Sequence, residues 1–230
     1  MNKTSIEWCT HTWNPVTGCK HGCPYCYARK IAERFKGSKA WPKGFEPMFH
    51  KGRMGDAVKH KKPAAIFVCS MADLFGEWVP SRWIWDVFEA MDAAPWHTFI
   101  MLTKNPERMK SFAPEHGDQP RGVKENWWFG TSITGPEIDS RLKILQSMDG
   151  NRFISFEPLL ANPGPLDLTG IKQVIIGAQT NPTQPIRPSW IEKIEDAADR
   201  AGARVFVKDS LKGLEGSPLF RRELCWSVNK

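Results

Sequence analysis

The chain of 230 residues has no apolar run that approaches the roughly 18–20 residues a helix needs to span a bilayer. Its polar and aromatic start, MNKTSIEWCTHTW, also lacks the apolar stretch of a signal peptide. These two absences predict a cytoplasmic protein without a membrane partner. Because cytosolic thiols stay reduced, the six cysteines are expected to be free thiols or metal ligands rather than disulfide partners.

Two common catalytic motifs are missing as well. The chain has neither a G-x-S-x-G nucleophile elbow nor a G-x-x-x-x-G-K-[ST] phosphate loop. Their absence disfavours a hydrolase or transferase built on Asp73, Glu157 and Lys208. No internal repeat or linker interrupts the sequence, so we expect a single domain over residues 1–230.

Strand and helix patterns alternate along the chain. A short strand candidate, TWNPVTG at 12–18, precedes six apolar runs rich in β-branched and aromatic residues: 65–70, 97–103, 126–133, 152–158, 173–179 and 203–208. Helical patterns are found at 27–35, 81–94 with Ser81 as N-cap, 105–113, 136–148 and 188–202. This alternation predicts an α/β fold, an incomplete parallel β/α barrel of about six or seven strands.

Polar side chains follow nearly every predicted strand. They are Ser70, Asp73, Thr103, Lys104, Asn105, Thr131, Ser132, Glu157, Gln179, Thr180, Lys208 and Asp209. Because the carboxyl ends of parallel strands form the working edge of such folds, we expect these residues to share a pocket. For any single residue, a capping or turn role is the alternative.

Three of the six cysteines lie within eight positions. In GCKHGCPYCYARK, Cys19, Cys23 and Cys26 have the spacing C-x3-C-x2-C, and a helical pattern follows at once. A zinc site is one interpretation, with His21 or His11 as fourth ligand. An iron–sulfur cubane with one iron left open for a small molecule is the other. The remaining cysteines, Cys9, Cys69 and Cys225, are isolated and are expected to be core residues or spare thiols.

This motif, with Tyr25 before the last cysteine and a helix after it, resembles the signature of the radical SAM superfamily. The resemblance implies that Cys19, Cys23 and Cys26 hold a 4Fe–4S cluster and that S-adenosylmethionine (SAM) binds the open iron. It also implies reductive cleavage of SAM to a 5′-deoxyadenosyl radical, a partial barrel fold, and a flavodoxin or ferredoxin as electron donor.

A narrower resemblance covers nearly the whole chain, to a phage-associated radical-SAM-like family of unknown function. It rests on successive blocks: TSIEW…TWNPVTGC at 4–19, IFVCSMADLFG at 66–76, LTKNPERM at 102–109, FGTSI at 129–133, SFEPLL at 155–160 and VIIGAQT at 174–180. Where relatives tend to carry Gly-Gly-Glu-Ser, this chain has Gly177, Ala178, Gln179 and Thr180. A role that needs a charge at Gln179 is therefore disfavoured, while a hydrogen-bonding role survives.

The superfamily implies a role for each matching position. Tyr25 would contact the adenine, and Ser70 and Asp73 would hold the methionyl amino group. Ser132 and Glu157 would meet the ribose or the surroundings of the methionine carboxylate. The remaining predicted contacts are Asn14, Lys104 and Lys208. Asn14 would order the loop or touch the site, with a cap before Pro15 as the alternative. The strand-end cations Lys104 and Lys208 would bind an anionic substrate or the SAM carboxylate, with a surface salt bridge as the alternative.

Positive charge is concentrated in residues 36–62. This basic segment has eight Lys and Arg against Glu46 and Asp56, a net charge of +6 in a chain whose total is +7. Aromatic side chains are interleaved with these charges: Trp41, Phe45 and Phe49. Cations with aromatics suit phosphate contact and base stacking, so we expect a loop insertion at about 37–63 that binds nucleic acid or another polyanion. A solvated basic loop is the alternative.

Together these features predict a radical SAM enzyme acting on an unidentified substrate, either a nucleic acid or another anionic molecule. The alternative is a zinc or iron–sulfur nucleic-acid-binding module without catalysis, in which the cysteines only fasten the loop.

Overall fold

A computed structural model describes residues 1–113, 124–135, 138–214 and 221–227. The chain divides into two compact units, Met1–Thr103 and Lys104–Ser227. Strands in both units pair mainly in parallel, with helices between them, which confirms the predicted α/β class. Closure into a partial barrel stays a prediction. Within the described ranges, no helix is long and apolar enough to cross a membrane.

The first unit contains six strands, four of which pair in one sheet. Its strands are β1 (Asn2–Lys3), β2 (His11–Trp13), β3 (Val16–Thr17), β4 (Met48–Phe49), β5 (Ala65–Val68) and β6 (Thr98–Thr103). The sheet order is β1-β2-β5-β6, with β2, β5 and β6 parallel and β1 antiparallel to β2. Strands β3 and β4 form a separate antiparallel pair. The helices are α1 (Tyr27–Arg34), α2 (Asp56–Lys59) and α3 (Ser81–Asp92), with a 3₁₀ turn at Lys51–Arg53.

The prediction of one strand over 12–18 was wrong. The chain leaves the main sheet after Trp13 and pairs with β4 from Val16 onward. Pro15 lies at the break, where its missing amide hydrogen prevents a continuous ladder. Its carbonyl instead accepts a hydrogen bond from the His50 amide, with N and O 2.7 Å apart.

Helix α3 begins where the sequence indicated, but Ser81 is its first helical residue and not its N-cap. Pro80 occupies the cap position, and no side chain caps the helix. The predicted apolar face is confirmed, since its four members are all buried: Ile84, Val87, Phe88 and Met91.

The second unit alternates strands and helices along its length. Its elements are α4 (Pro106–Phe112), β7 (Trp127–Ser132), α5 (Ile138–Gln146), β8 (Asn151–Phe156), β9 (Gln173–Ile176), α6 (Pro188–Ala201) and β10 (Arg204–Val207), with a 3₁₀ turn at Asp209–Leu211. The strands pair in parallel in the order β7-β8-β9-β10. All four strands were predicted. The predicted helix at 136–148 begins in the described part at Ile138, and its first two residues lie outside the described ranges.

The basic segment contains more secondary structure than the predicted loop insertion. Strand β4, the 3₁₀ turn and α2 all fall within it. Trp41 and Phe45 are buried against Ala28 and Ala32 of α1, where they form a small apolar cluster. These two aromatics therefore anchor the segment and are not free to stack on a ligand.

Gly18 marks the start of the cysteine loop, residues 18–26, and its backbone has a φ of +86°. A Cβ placed there would lie 2.2 Å from the carbonyl oxygen of Glu46. Gly22 has a similar φ of +70° but open space around it. Both glycines adopt a positive φ, but only at Gly18 would a side chain also clash with neighbouring backbone. Comparing the two positions therefore distinguishes the effect of the positive φ from the effect of the clash.

We expect Gly18→Ala to lower the free energy of unfolding by about 2–4 kcal/mol, because it adds a backbone clash to the cost of a positive φ. Gly22→Ala, the matched control, should cost only about 1 kcal/mol. Urea denaturation of both variants measures the difference. Equal losses would contradict the close approach at Gly18.

Candidate functional site

The cysteine loop directly follows β3, a few residues beyond the carboxyl end of β2, and contacts the segment that follows β5. The Gly18 amide donates to the Met71 carbonyl, with N and O 2.9 Å apart, and Gly18 forms a parallel bridge with Ala72. Since β2, β5 and β6 are parallel, their carboxyl ends lie at one edge of the sheet. This edge brings together Asn14, the cysteine loop, Ser70, Asp73 and Thr103, as the sequence predicted for the residues of this unit.

All three loop cysteines are free thiols and half-buried. Cys26 is the N-cap of α1, and its sulfur accepts a hydrogen bond from the Arg29 amide at 3.4 Å. Cys19 and Cys26 pack against the apolar cluster of α1 and the basic segment. Within the described ranges, no three His, Cys, Asp or Glu side chains form a group that could hold a metal ion. Three thiols on one short loop are nevertheless the donor type that iron–sulfur clusters and zinc use.

Burial changes the acidity of one of these thiols. Desolvation is the largest effect on Cys19 and raises its pKa to about 11, with the charge of Asp73 adding to the increase. A hydrogen bond from the His21 backbone acts in the opposite direction. Cys69, which directly follows β5, is fully buried, and desolvation raises its pKa to about 12. Cys69 therefore behaves as the core residue that the sequence predicted.

The carboxylate of Asp73 fastens the cysteine loop to the sheet edge. Its side chain is 7% exposed, and its Oδ2 accepts from His21 Nε2 at 2.7 Å. Its Oδ1 accepts from the Thr103 hydroxyl at 2.6 Å and from the Phe75 amide at 3.0 Å. The His21 ring also packs edge-on against Trp78, with centroids 4.9 Å apart. One buried carboxylate thus joins the loop, the segment after β5 and the end of β6.

Ser70 connects the loop to Asn14. The Ser70 hydroxyl donates to Asn14 Oδ1 at 3.2 Å, and the Met71 amide donates to the same oxygen at 3.0 Å. The Ser70 carbonyl accepts from the Tyr27 hydroxyl at 2.7 Å. Asn14 therefore orders this edge, one of the two roles expected of it. Tyr25 lies half-buried between the last two cysteines.

In the second unit, Glu157 and Lys208 form an ion pair between two strand ends. Glu157 follows β8 and Lys208 follows β10, and the two side chains are 28% and 17% exposed. Gly177 lies beside the pair, where a Cβ would be 3.1 Å from Lys208 Cδ and 3.2 Å from Glu157 Cγ. The pair neutralises both charges, so each side chain binds its partner in this structure.

Other strand-end residues of the second unit have hydrogen bonds of their own, as Gln179 and Ser132 show. Gln179 donates from its side-chain amide to the Pro182 carbonyl, with N and O 2.8 Å apart. A carboxylate could not make this bond, which gives the amide at Gln179 a structural reason. Ser132 is buried at the end of β7, and its carbonyl accepts from Arg141. Lys104 is half-buried and begins this unit.

Three side chains of the site had no positioning role in the sequence prediction. His21 was considered only as a zinc ligand, and Thr103 only as a strand-end polar residue. Arg29 donates to the Cys19 carbonyl at 3.1 Å and lies over the Phe45 ring, 5.1 Å from its centroid. The location of His21 between Cys19 and Cys23 was the one sequence signal for its part in the loop.

The raised pKa of Cys19 has a measurable consequence. We expect native Cys19 to react with iodoacetamide at pH 8 about tenfold or more slowly than in urea-unfolded protein, because the thiolate is the nucleophile. Its rate should still rise as the pH goes from about 9 to about 11. Because the folded-state pKa lies above the unfolded one, folding stability falls over the same interval. Peptide mass spectrometry reads each site, with buried Cys69 as the unreactive control. Equal Cys19 rates in native and unfolded protein would refute this.

Comparison with known protein families matches residues 3–213 to a family described as a protein of unknown function, DUF5131. No curated protein matches the chain, and no solved structure does. The matched range includes the cysteine loop and every strand-end residue described above. It covers well over half of the sequence, so the chain belongs to the DUF5131 family.

Proposed function

We propose that this protein is a radical SAM enzyme whose loop cysteines, Cys19, Cys23 and Cys26, hold a 4Fe–4S cluster. When bound, the cluster would supply an electron and an open iron for SAM, whose cleavage would yield methionine and a 5′-deoxyadenosyl radical that takes a hydrogen from an anionic substrate. A cytoplasmic location and a flavodoxin or ferredoxin as electron donor belong to the same proposal.

The observation that supports this proposal most is the attachment of a three-thiol loop to the carboxyl edge of a parallel sheet. Gly18, His21 and Tyr27 each hydrogen-bond to the segment that follows β5. In α/β folds, ligands bind outside the carboxyl ends of the strands. The three thiols are therefore held where a substrate pocket is expected.

The residues around the loop have separable tasks under this proposal. His21 and Asp73 hold the loop against the sheet. The Arg29 amide donates to the Cys26 sulfur, and hydrogen bonds to sulfur are one way in which a protein adjusts a cluster's potential. The N-terminal end of α1 favours the negative charge of thiolate ligands.

Recognition of SAM is assigned to side chains at the same edge of the first unit. Tyr25 would meet the adenine, and Ser70 would meet the amino group. Asp73 already accepts three hydrogen bonds, so we propose that it serves the amino group indirectly, by fixing the loop. Asn14 is the remaining proposed contact at this edge, and the roles of Lys104, Ser132, Glu157, Gln179 and Lys208 in the second unit stay predictions.

One observation favours the second candidate, a zinc-binding module without catalysis. His21 uses Nε2 to bind the Asp73 carboxylate, and a histidine that ligates zinc usually donates its other ring nitrogen to such a group. Nδ1 of His21 would then complete a site with Cys19, Cys23 and Cys26. A structural zinc of this kind would stabilise the loop for nucleic-acid binding.

Anaerobic reconstitution with iron and sulfide, followed by SAM and a strong reductant, tests the first candidate. We expect wild-type protein to form 5′-deoxyadenosine, detected by mass. Cys23→Ala should abolish the product, because it removes one of three proposed cluster ligands. Cys225→Ala is the matched control and should retain the product, since Cys225 lies outside the cysteine loop.

Metal analysis of the same samples separates the two candidates. About one zinc per chain, bound through the loop cysteines and not replaced by iron, would overturn the radical SAM proposal in favour of the binding module. A cluster that forms while SAM neither binds nor is cleaved would overturn it as well.

A further inference from the structure

A second polar site lies in the basic segment. A cleft of about 450 Å³ is lined by Lys39, Ala40, His50, Gly52 and Arg53. No acidic side chain is among the lining residues, so the positive charge of the cleft has no counter-ion in its own wall.

Arg53 supplies a half-buried positive charge to the cleft. Its guanidinium is half-buried and donates to the Asn14 carbonyl at 2.9 Å. In the part of the chain that the structure describes, it has no ion pair. Asp56 lies three residues on, but its carboxylate binds the amino terminus of Met1 at 2.6 Å. The guanidinium therefore keeps donors for a ligand.

Lys39 and His50 complete the polar lining. Lys39 is exposed and, among the described residues, has neither a hydrogen bond nor an ion pair through its side chain. The His50 ring bonds through Nε2 to the Thr17 hydroxyl, 2.8 Å away. Burial is the main cause of its lowered pKa, and the charge of Arg53 adds to the effect. A neutral His50 leaves Lys39 and Arg53 as the cations of the cleft at pH 7.

We propose that this cleft binds a phosphate group. The planar guanidinium of Arg53 offers parallel donors that match two phosphate oxygens, and the Lys39 ammonium adds a point charge. A phosphate presents enough oxygens to meet both cations at once, whereas a carboxylate is satisfied by one guanidinium. The phosphate could belong to inorganic phosphate, a nucleotide or a single-stranded nucleic acid.

The cleft is connected to the cysteine loop through the backbone that precedes it. The Arg53 guanidinium donates a hydrogen bond to the Asn14 carbonyl, and the His50 amide donates one to the Pro15 carbonyl. Asn14 in turn binds Ser70 and Met71 at the sheet edge. Phosphate would then be the part of the anionic substrate that the protein recognises, a role that rests on the proposed function.

Calorimetric titration of the full-length protein at low salt tests the inference. The probes are inorganic phosphate, a nucleoside monophosphate and a short single-stranded oligonucleotide, with acetate as the carboxylate control. We expect phosphate to bind and acetate not to. Lys39→Ala should raise the Kd for phosphate about fivefold, whereas Lys43→Ala, an exposed lysine outside the cleft, should leave it unchanged.

Arg53 is tested separately because it also supports the backbone at Asn14. Arg53→Gln should raise the Kd about tenfold or more, and Arg53→Lys should fall between Arg53→Gln and wild type, since it keeps the charge without the planar fork. Thermal melting establishes whether each variant is folded. If Arg53→Gln is not folded, the comparison of Lys39→Ala with Lys43→Ala tests the inference.

Three outcomes would overturn the inference: no phosphate binding at about 10 mM, equally tight binding of acetate, or equal effects of Lys39→Ala and Lys43→Ala. The relative affinities of the three phosphate probes identify the source of the phosphate. Binding is measured without SAM, so failure here leaves 5′-deoxyadenosine formation intact, and loss of that product leaves phosphate binding intact.

Discussion

The first unit depends on a buried carboxylate with three donors. Asp73 accepts from His21, from the Thr103 hydroxyl and from the Phe75 amide, and its side chain is almost fully screened from water. A buried charge without such partners is costly, so these bonds must form together. Because the donors come from the cysteine loop, the end of β6 and the turn after Asp73 itself, satisfying one carboxylate fixes three separate pieces of chain.

Much of the fold could be read from hydrophobic patterning. Strands β5 and β9 are buried at every position, which is why they appear in sequence as continuous apolar runs. Helix α6 ends at Ala201, and Gly202 follows as its C-cap with a φ of +69°, as predicted. The break of the 12–18 run was harder to predict, because which sheet each half joins depends on β4, a partner more than thirty residues away.

The candidate site could be predicted as a set of residues but not as a set of bonds. Strand ends identified Ser70, Asp73 and Thr103, since parallel topology alone brings them to one edge. Their hydrogen-bond partners depend on side-chain directions that periodicity does not encode, and so the contact between His21 and Asp73 was missed. The same limit applies to Glu157 and Lys208, which form an ion pair. The sequence offers a salt bridge as one alternative for Lys208 but does not identify Glu157 as its partner.

The cysteine loop is held at the sheet edge by its backbone and by His21. The free-energy cost of binding a metal would therefore arise at its thiols. Metal ligation needs thiolates, and burial raises the pKa of Cys19 well above its ordinary value. A metal bound there would therefore have to displace the proton of Cys19, a thiol that packs against the apolar cluster. The bond between His21 and Asp73 would lower the cost of binding, because it already holds the loop at the sheet edge.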